Sequence, residues 1–476
     1  MTMKVSLLSQ EEKERIHARA LDVLEKVGIQ FNSHQALEIL AQAGCQVDRE
    51  ELSARIPPAL VEKALSTIPH QVTLAARDPK WDLHYGVGGP YFISSAQSAH
   101  FRDLETRKRR APTSQDLIQC ALICDALEEV DEFCPMVVPS DIPPPLRSLR
   151  ASEIAYTHNR KHVLGWVDSL DALPFHLEVM DAVLGDRKKL RERPVFSHII
   201  NDISPLQKSG NLVDVTLALR EFRIPIVLYH MPLSGATAPV TLAGTLLEMT
   251  ANMLSSVVLY QLVEPGWPIL WGTGAGPLDM RMGRVGGGPE AILMSVAHVE
   301  LAHYYGLPSI GGGVFSYDAK QIGFQAGIEA VMMSLPVALA GTDALYGPAD
   351  LDGANLVDLP YLIVCSELVR QLRRILRGID LDEEHFLFDV MARLRFQGDY
   401  LGDPSTKRLF RQEHLLPRLF PRESYEAWEA RGQTEEARAI AQVKEILRSH
   451  TPMPLPTGVA RQLDRVLAAA QRALVH

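Results

Sequence analysis

A chain of 476 residues with 46% hydrophobic and 22% charged side chains is ordinary for a globular protein and long enough to bury a large core. Its 58 acidic against 48 basic residues leave a formal net charge of -10, which argues against non-specific nucleic-acid binding, for which a basic face is needed. The opening MTMKVSLLSQEEKERI lacks the apolar centre of a signal peptide, and Gly, Pro, Gln or Glu break the apolar stretches too often for a membrane span. Ser9 and Glu12 match a capping box that opens an amphipathic helix toward Val27, with Gly28 as its stop. A second helix is predicted over 33–43 and a third from Pro57 through Leu65, with Pro58 in its first turn. Short strands at 71–75, 82–85 and 91–95 follow, separated by turns.

From Thr113 the pattern alternates. Residues 114–128 read as helix and 133–138 as strand, which Pro143-Pro144-Pro145 stops; 146–159 read as helix and 162–167 as strand. Between Arg191 and Ile379 lie apolar segments at 194–201, 225–230, 268–272, 308–313 and 344–347, each ending in polar, aromatic or Gly residues. Parallel strands buried on both faces have this character. About seven βα units from 113 to 378, with an eighth strand near Tyr400, give an α/β chain that forms a (β/α)8 TIM barrel. The alternative, an open doubly wound sheet, lacks a GxGxxG after a first strand. Residues 1–110 are expected as a helical and short-strand extension packed on the barrel, 111–422 as the barrel, and 423–476 as a helical segment.

In such a barrel the C-terminal strand ends carry the chemistry. Aromatic residues gather there: Phe196, Tyr229, Trp271, Phe315 and Tyr346. A box of such rings holds a quaternary ammonium by cation–π attraction, worth about 0.5–2 kcal/mol per ring, although each ring alone reads more readily as core. Asn201 and His230 end neighbouring strands, where either can donate a hydrogen bond to a carboxylate; a lone strand-end histidine also serves structure. Asp318, Gln325 and Glu329 follow Phe315, the last two sharing a helix face, and read as polar support behind the site or as a helix–loop network. Gly311-Gly312-Gly313 lacks the Lys of a P-loop and serves either close approach of a flat ligand or packing.

The five cysteines are odd in number and lack CxxC spacing, which fits a reducing cytoplasm; Cys120 and Cys124 read as packing residues. No HExxH or spaced Cys/His set implies a metal, no GxSxG elbow supplies a nucleophile, and the nearest lysine to a strand end is Lys320. No bound metal and no catalytic side chain is therefore expected, and the chemistry falls to a partner or cofactor.

An ordered series of segments carries a resemblance: Ser204-Pro205-Leu206, GATAPVTLAG at 235–244, QLVEPG at 261–266, Asp279-Met280, Gly288-Pro289-Glu290, YGLPS at 305–309, DAK at 318–320, QAGIE at 325–329 and Ala340-Gly341. Weaker similarity reaches Phe101-Arg102-Asp103 and Gly398-Asp399-Tyr400-Leu401. The series resembles the trimethylamine methyltransferase family. That resemblance implies a (β/α)8 barrel that moves a methyl group from a methylamine to the cobalt of a separate corrinoid protein. Trimethylamine-specific members carry pyrrolysine a few residues beyond the position of Ser309. This chain reads Gly313-Val314-Phe315-Ser316-Tyr317-Asp318 there, which resembles the pyrrolysine-free branch that includes glycine betaine methyltransferases. It departs from the family pattern at Asn252, where an acidic residue is expected.

Expulsion of a neutral tertiary amine from a quaternary ammonium needs no proton, which matches the missing catalytic acid. The expected protein is a corrinoid-dependent methyltransferase for a quaternary amine such as glycine betaine, cytoplasmic and homo-oligomeric, with a cognate corrinoid protein as partner. Asn201, Tyr229, His230, Trp271, Phe315 and Tyr346 are expected at the substrate. Two alternatives are a lyase or decarboxylase with Asp318 and His230 as acid–base pair, and a quaternary-amine binding protein that transfers nothing.

Overall fold

The structure is a computed structural model and describes residues 4–95, 97–396 and 398–475. Eight parallel strands form its central sheet: β1 (Tyr91–Phe92), β2 (Glu132–Phe133), β3 (His162–Gly165), β4 (Phe196–Asn201), β5 (Ile226–His230), β6 (Ile269–Thr273), β7 (Ser309–Gly313) and β8 (Ala344–Tyr346). β8 pairs with β1, and a parallel bridge between Ile93 and Glu132 joins β1 to β2, so the sheet closes into a barrel. One helix follows each strand: α1 (Ser114–Ala126), α2 (Arg147–His158), α3 (Leu173–Leu184), α4 (Gly210–Ala218), α5 (Leu242–Val263), α6 (Pro289–Tyr304), α7 (Phe324–Leu339) and α8 (Leu359–Arg377).

Local chemistry explains the registers. Prolines precede β5, β6 and β7, where a missing N–H removes no ladder bond. The Pro225, Pro268 and Pro308 carbonyls still accept from His198, Ile226 and Trp271 on the neighbouring strands. Along each strand alternate residues face opposite sides. Ile199, Val227, Leu270, Ile310 and Ala344 fill the lumen, while Ile200, Leu228, Trp271 and Leu345 pack outward with the helices. The hairpin of Val72–Leu74 and Leu83–Tyr85 joins the lumen cluster and plugs one end of the barrel, with the Tyr85 hydroxyl donating to Glu132 at 2.6 Å.

The capping box of Ser9 and Glu12 is present on helix Gln10–Asp22, which packs with Pro58–Leu65 on α5. Helix α5 is long and apolar enough to cross a membrane, but 78% of its most apolar window is buried inside the fold. Helices Glu435–Ser449 and Val459–Leu474 strap the opposite side, packing on α8 and α1 and on α3 and α2.

The expected eighth strand near Tyr400 is absent. Tyr400 and Leu401 lie exposed in an irregular segment between helices Phe388–Leu394 and Pro404–Glu413, with no burial to support a barrel strand. The barrel instead takes its first strand from Tyr91–Phe92, inside the stretch expected to be an extension. Between 423 and 475 the chain carries the helices Tyr425–Arg431, Glu435–Ser449 and Val459–Leu474.

Candidate active site

At the carboxyl ends of the strands the lumen opens into a cavity of about 420 Å³. Its wall carries Tyr229 from β5, Phe315 and Tyr317 from the loop after β7, and Tyr346 from β8. The Tyr229 and Tyr346 rings lie 5.8 Å apart, and those of Phe315 and Tyr317 4.8 Å apart, edge to face. Exposed Asn201 and Met231 and the half-buried Leu233 also face the cavity, and the buried carboxyl of Asp350 completes it.

Glycines seat these rings. A Cβ on Gly272 would lie 2.7 Å from the Tyr229 ring, one on Gly313 2.1 Å from the Phe315 ring, and one on Gly287 2.5 Å from Cβ of Tyr317. The space beside Gly311 and Gly312 is taken by Val299 and Val337, so this triplet receives the protein's own side chains. Behind the Phe315–Tyr317 loop, Glu329 of α7 accepts the Ser316 hydroxyl and the backbone N–H groups of Asp318 at 2.9 Å and Ala319 at 3.2 Å. Gln325, one turn before it, donates to Glu329 at 2.6 Å. Asp318 itself is exposed and accepts from the Gly287 N–H at 3.3 Å. These three residues hold the loop and do not line the cavity.

Burial pushes the phenols of Tyr229 and Tyr346 up, and that of Tyr317 up to about 12. All three stay un-ionised near neutral pH. The Tyr346 hydroxyl donates to Cys134 Sγ at 3.2 Å. Burial also pushes the Asp350 carboxyl up to about 7, against hydrogen bonds from Ser95 and Ser98 that lower it. At the rim, Asp352 binds Arg284 and, at 2.9 Å, Lys320, with Arg109 at 3.8 Å.

Two expected substrate contacts lie elsewhere. The register pairs Tyr229 with Gly272 and Leu228 with Trp271, so Trp271 points away from the lumen. It is fully buried, stacks on His298 at 6.0 Å and packs on Tyr305 at 5.5 Å. His230 follows Tyr229 and faces the opposite side. Its Nε2 lies 3.1 Å from Glu248, 3.2 Å from Asn252 and 3.3 Å from Ser204. Asn252 thus belongs to a buried network behind β5, in which Lys208 donates to the Asn252 carbonyl at 2.7 Å and pairs with Asp202. Phe196 begins β4, outward and buried. His230 lies behind β5 on Glu248 and Asp318 is exposed outside the lining, so neither member of the lyase alternative's acid–base pair faces the cavity.

Tyr317, Asp350 and Gln97 line the cavity without having been singled out in the sequence. Tyr317 carried a signal, an aromatic residue two positions past Phe315 in the same strand-end loop. Asp350 carried little, because only the turn at Gly347 brings it back into the lumen opening. Among the described residues one grouping has metal-ligand geometry, Asp380, His385 and Glu413, and Arg377 already pairs with its two carboxylates at 2.9 and 2.7 Å. None of the three lines the cavity.

The profile of the trimethylamine methyltransferase family matches residues 1–474. Trimethylamine methyltransferase MttB of Desulfitobacterium hafniense is 32% identical over 462 residues, covering 96% of this chain and 92% of that protein. MttB of Methanosarcina thermophila is 28% identical, covering 97% of each chain. The glycine betaine methyltransferase of Desulfitobacterium hafniense is 26% identical over 468 residues, covering 98% of this chain and 97% of that one. Among solved structures, the monomethylamine methyltransferase of Methanosarcina barkeri shares the barrel fold, with a TM-score of 0.53 at 13% identity over 99% of this chain and 90% of that one. A profile match over almost the whole chain and a relative at 32% identity over 96% of it place this protein in the trimethylamine methyltransferase family.

Proposed function

We propose that the barrel transfers a methyl group from a quaternary ammonium to the Co(I) of a corrinoid carried by a separate protein. The observation that carries this reading is the set of four rings, Tyr229, Phe315, Tyr317 and Tyr346, around a cavity that also holds one buried carboxyl. Aromatic faces attract a desolvated cation. The corrinoid supplies the nucleophile for the methyl carbon. The C–N bonding pair stays with nitrogen, which leaves as a neutral tertiary amine, so no side chain has to deliver a proton. The work left to the barrel is to strip water from the cation, hold it, and aim one methyl outward.

The un-ionised phenols serve this task, since they offer ring faces without a competing phenolate. Exposed Met231, Met280, Met282 and Val285 on the loops after β5 and β6 form an apolar rim that suits docking of a corrinoid partner. We take segment Gly313-Val314-Phe315-Ser316-Tyr317-Asp318, built of ordinary side chains, to stand where the family resemblance implies pyrrolysine in trimethylamine-specific members, and this reading favours a quaternary over a tertiary amine. No step here calls for a resident metal. We also take the chain to be cytoplasmic and homo-oligomeric. All five cysteines are free and buried, in keeping with a reducing compartment. Phe396 and Leu401, 94% and 84% exposed, give a second copy an apolar surface to cover.

The test is anaerobic mixing with a candidate corrinoid protein in the Co(I) state and a panel of glycine betaine, carnitine, proline betaine, choline and tetramethylammonium. Loss of the Co(I) absorption with at least one of them, and little or none with trimethylamine, is the expected outcome. An unchanged spectrum throughout the panel sinks the reading. Binding without transfer would favour a quaternary-amine binding protein.

A further inference from the structure

The cavity's charge balance is one-sided. Among the described residues its ionisable lining consists of Asp350 and the phenols of Tyr229, Tyr317 and Tyr346, with no Lys, Arg or His. The rim cations Arg284 and Lys320 stand outside the lining and are bound to Asp352. Of the two expected carboxylate anchors, His230 is behind the sheet with Glu248, and Asn201 lines the cavity as a neutral amide that supplies no positive charge. A zwitterionic betaine would therefore bring its own carboxylate into a low-dielectric space that holds another carboxyl and no compensating cation. Unpaired buried charge and like-charge proximity both oppose that.

Asp350 is built to receive positive charge. It is 2% exposed. The Ser95 and Ser98 hydroxyls both reach Oδ1, and Ser98 has only one hydrogen to divide between Oδ1 at 3.2 Å and the Ala354 carbonyl at 2.8 Å. No described side chain donates to Oδ2. Its backbone is fixed, with the Asp350 N–H donating to the Gly347 carbonyl at 3.0 Å and the Ser316 N–H donating to the Asp350 carbonyl at 3.1 Å. A buried, incompletely satisfied carboxyl held rigidly in an aromatic cavity is complementary to a cation.

We propose that the methyl donor is a net cation, a quaternary ammonium without an anionic group of its own, and that Asp350 is its counter-ion. The substrate class rests on the methyl-transfer reading above; the binding preference does not. Choline and tetramethylammonium are the cationic probes and glycine betaine the zwitterionic one.

Calorimetry on the full chain at pH 8 tests it. Choline and tetramethylammonium should bind at least tenfold more tightly than glycine betaine. Asp350→Asn, close in shape, should weaken both cations tenfold or more and narrow their advantage over betaine. Equal or tighter binding of betaine by the wild-type protein overturns the proposal, and so does an unchanged choline affinity in a folded Asp350→Asn. Should that variant fail to fold, the wild-type comparison still decides. Cation binding without methyl transfer would uphold the binding preference and overturn the transfer reading. Preferred transfer from betaine would do the reverse. Binding of none of the three overturns both.

Discussion

Phe315 is the ring whose removal reads most cleanly. It sits in the pocket that Gly313 and Gly347 leave open, so Phe315→Ala removes a cavity wall without uncovering a buried polar group. The expected loss in quaternary-ammonium affinity is about 1–2 kcal/mol, the scale of a desolvated cation–π contact. Calorimetry on the folded variant measures it, and an unchanged affinity makes the ring ordinary core. His230→Ala has the opposite signature. It strips a partner from buried Glu248 and Asn252, so stability should fall by about 1–3 kcal/mol. The affinity ratio of choline to betaine should not move; a selective loss for betaine would restore a carboxylate-anchor role. Asp350 adds a pH dependence. Its neighbours Cys134 and Cys365 are pushed up to about 12, the phenols of Tyr229, Tyr346 and Tyr361 are pushed up as well, and Ser95 and Ser98 do not titrate. Asp350, at about 7, is thus the group in that cluster that titrates near neutrality. A cation binds its ionised form, so choline affinity should rise from pH 6 to 8 and then level off. A flat profile in titrations across that range would show that the carboxyl does not meet the cation. The site was half legible for a physical reason. Tyr229, Phe315 and Tyr346 ended apolar segments, whereas Trp271 and His230 ended equally apolar segments in the opposite phase, and phase is visible only once Tyr229 is paired with Gly272.

The element that positions half of the ring set is the turn after β7, and Glu329 is its clamp. Its carboxyl is held below the usual range: burial opposes ionisation, but the Ser316 hydroxyl, two backbone N–H groups and Gln325 outweigh it. Glu329→Ala should release Phe315 and Tyr317 together. We expect faster amide exchange at 316–319 and an affinity loss larger than that of Phe315→Ala alone. Unchanged exchange would mean that the turn is held by other contacts. The same elements explain what the sequence could and could not tell about the fold. The segments before Asn201, His230, Gly272, Gly313 and Gly347 announced themselves because both faces of each strand are buried and the runs are apolar. Tyr91–Phe92 was visible as a strand, yet its place in the barrel depends on pairing with Ala344 and Leu345, which lie some 250 residues away and leave no local trace. The apolar Tyr400-Leu401 pair imitated a strand end because composition does not distinguish an exposed apolar surface from a core.

For the whole molecule, buried titratable groups set opposing slopes on stability. Burial holds His176, His198 and His298 down to about 3 and His162 down to about 4. Below about pH 6.5 the unfolded chain protonates these imidazoles while the folded chain does not, so stability falls as pH drops from there. Burial raises Glu132 to about 8 and Asp350 to about 7. The unfolded chain ionises these carboxyls near pH 4 while the folded chain keeps their protons, so stability falls as pH climbs toward 8. Asp131, Glu153 and Asp358 are raised too, which blunts the acid limb. Lys161, lowered to about 8, changes the balance only above this window. Four histidines outweigh the carboxyls below pH 6, and their pull fades above 6.5 as the unfolded imidazoles lose their protons, so Tm in a ligand-free pH series should peak near 6.5. Glu132→Gln isolates one contribution. The Gln side chain can still accept from Tyr85, while its amide meets the position where Glu132 Oε1 has no partner, a cost independent of pH. The variant should therefore gain on the wild type between pH 6 and 8, by at most about 1.4 kcal/mol per pH unit. A constant offset between the two curves would mean that Glu132 keeps the same protonation state throughout, and the alkaline fall would then have to come from Asp350 and the other buried acids.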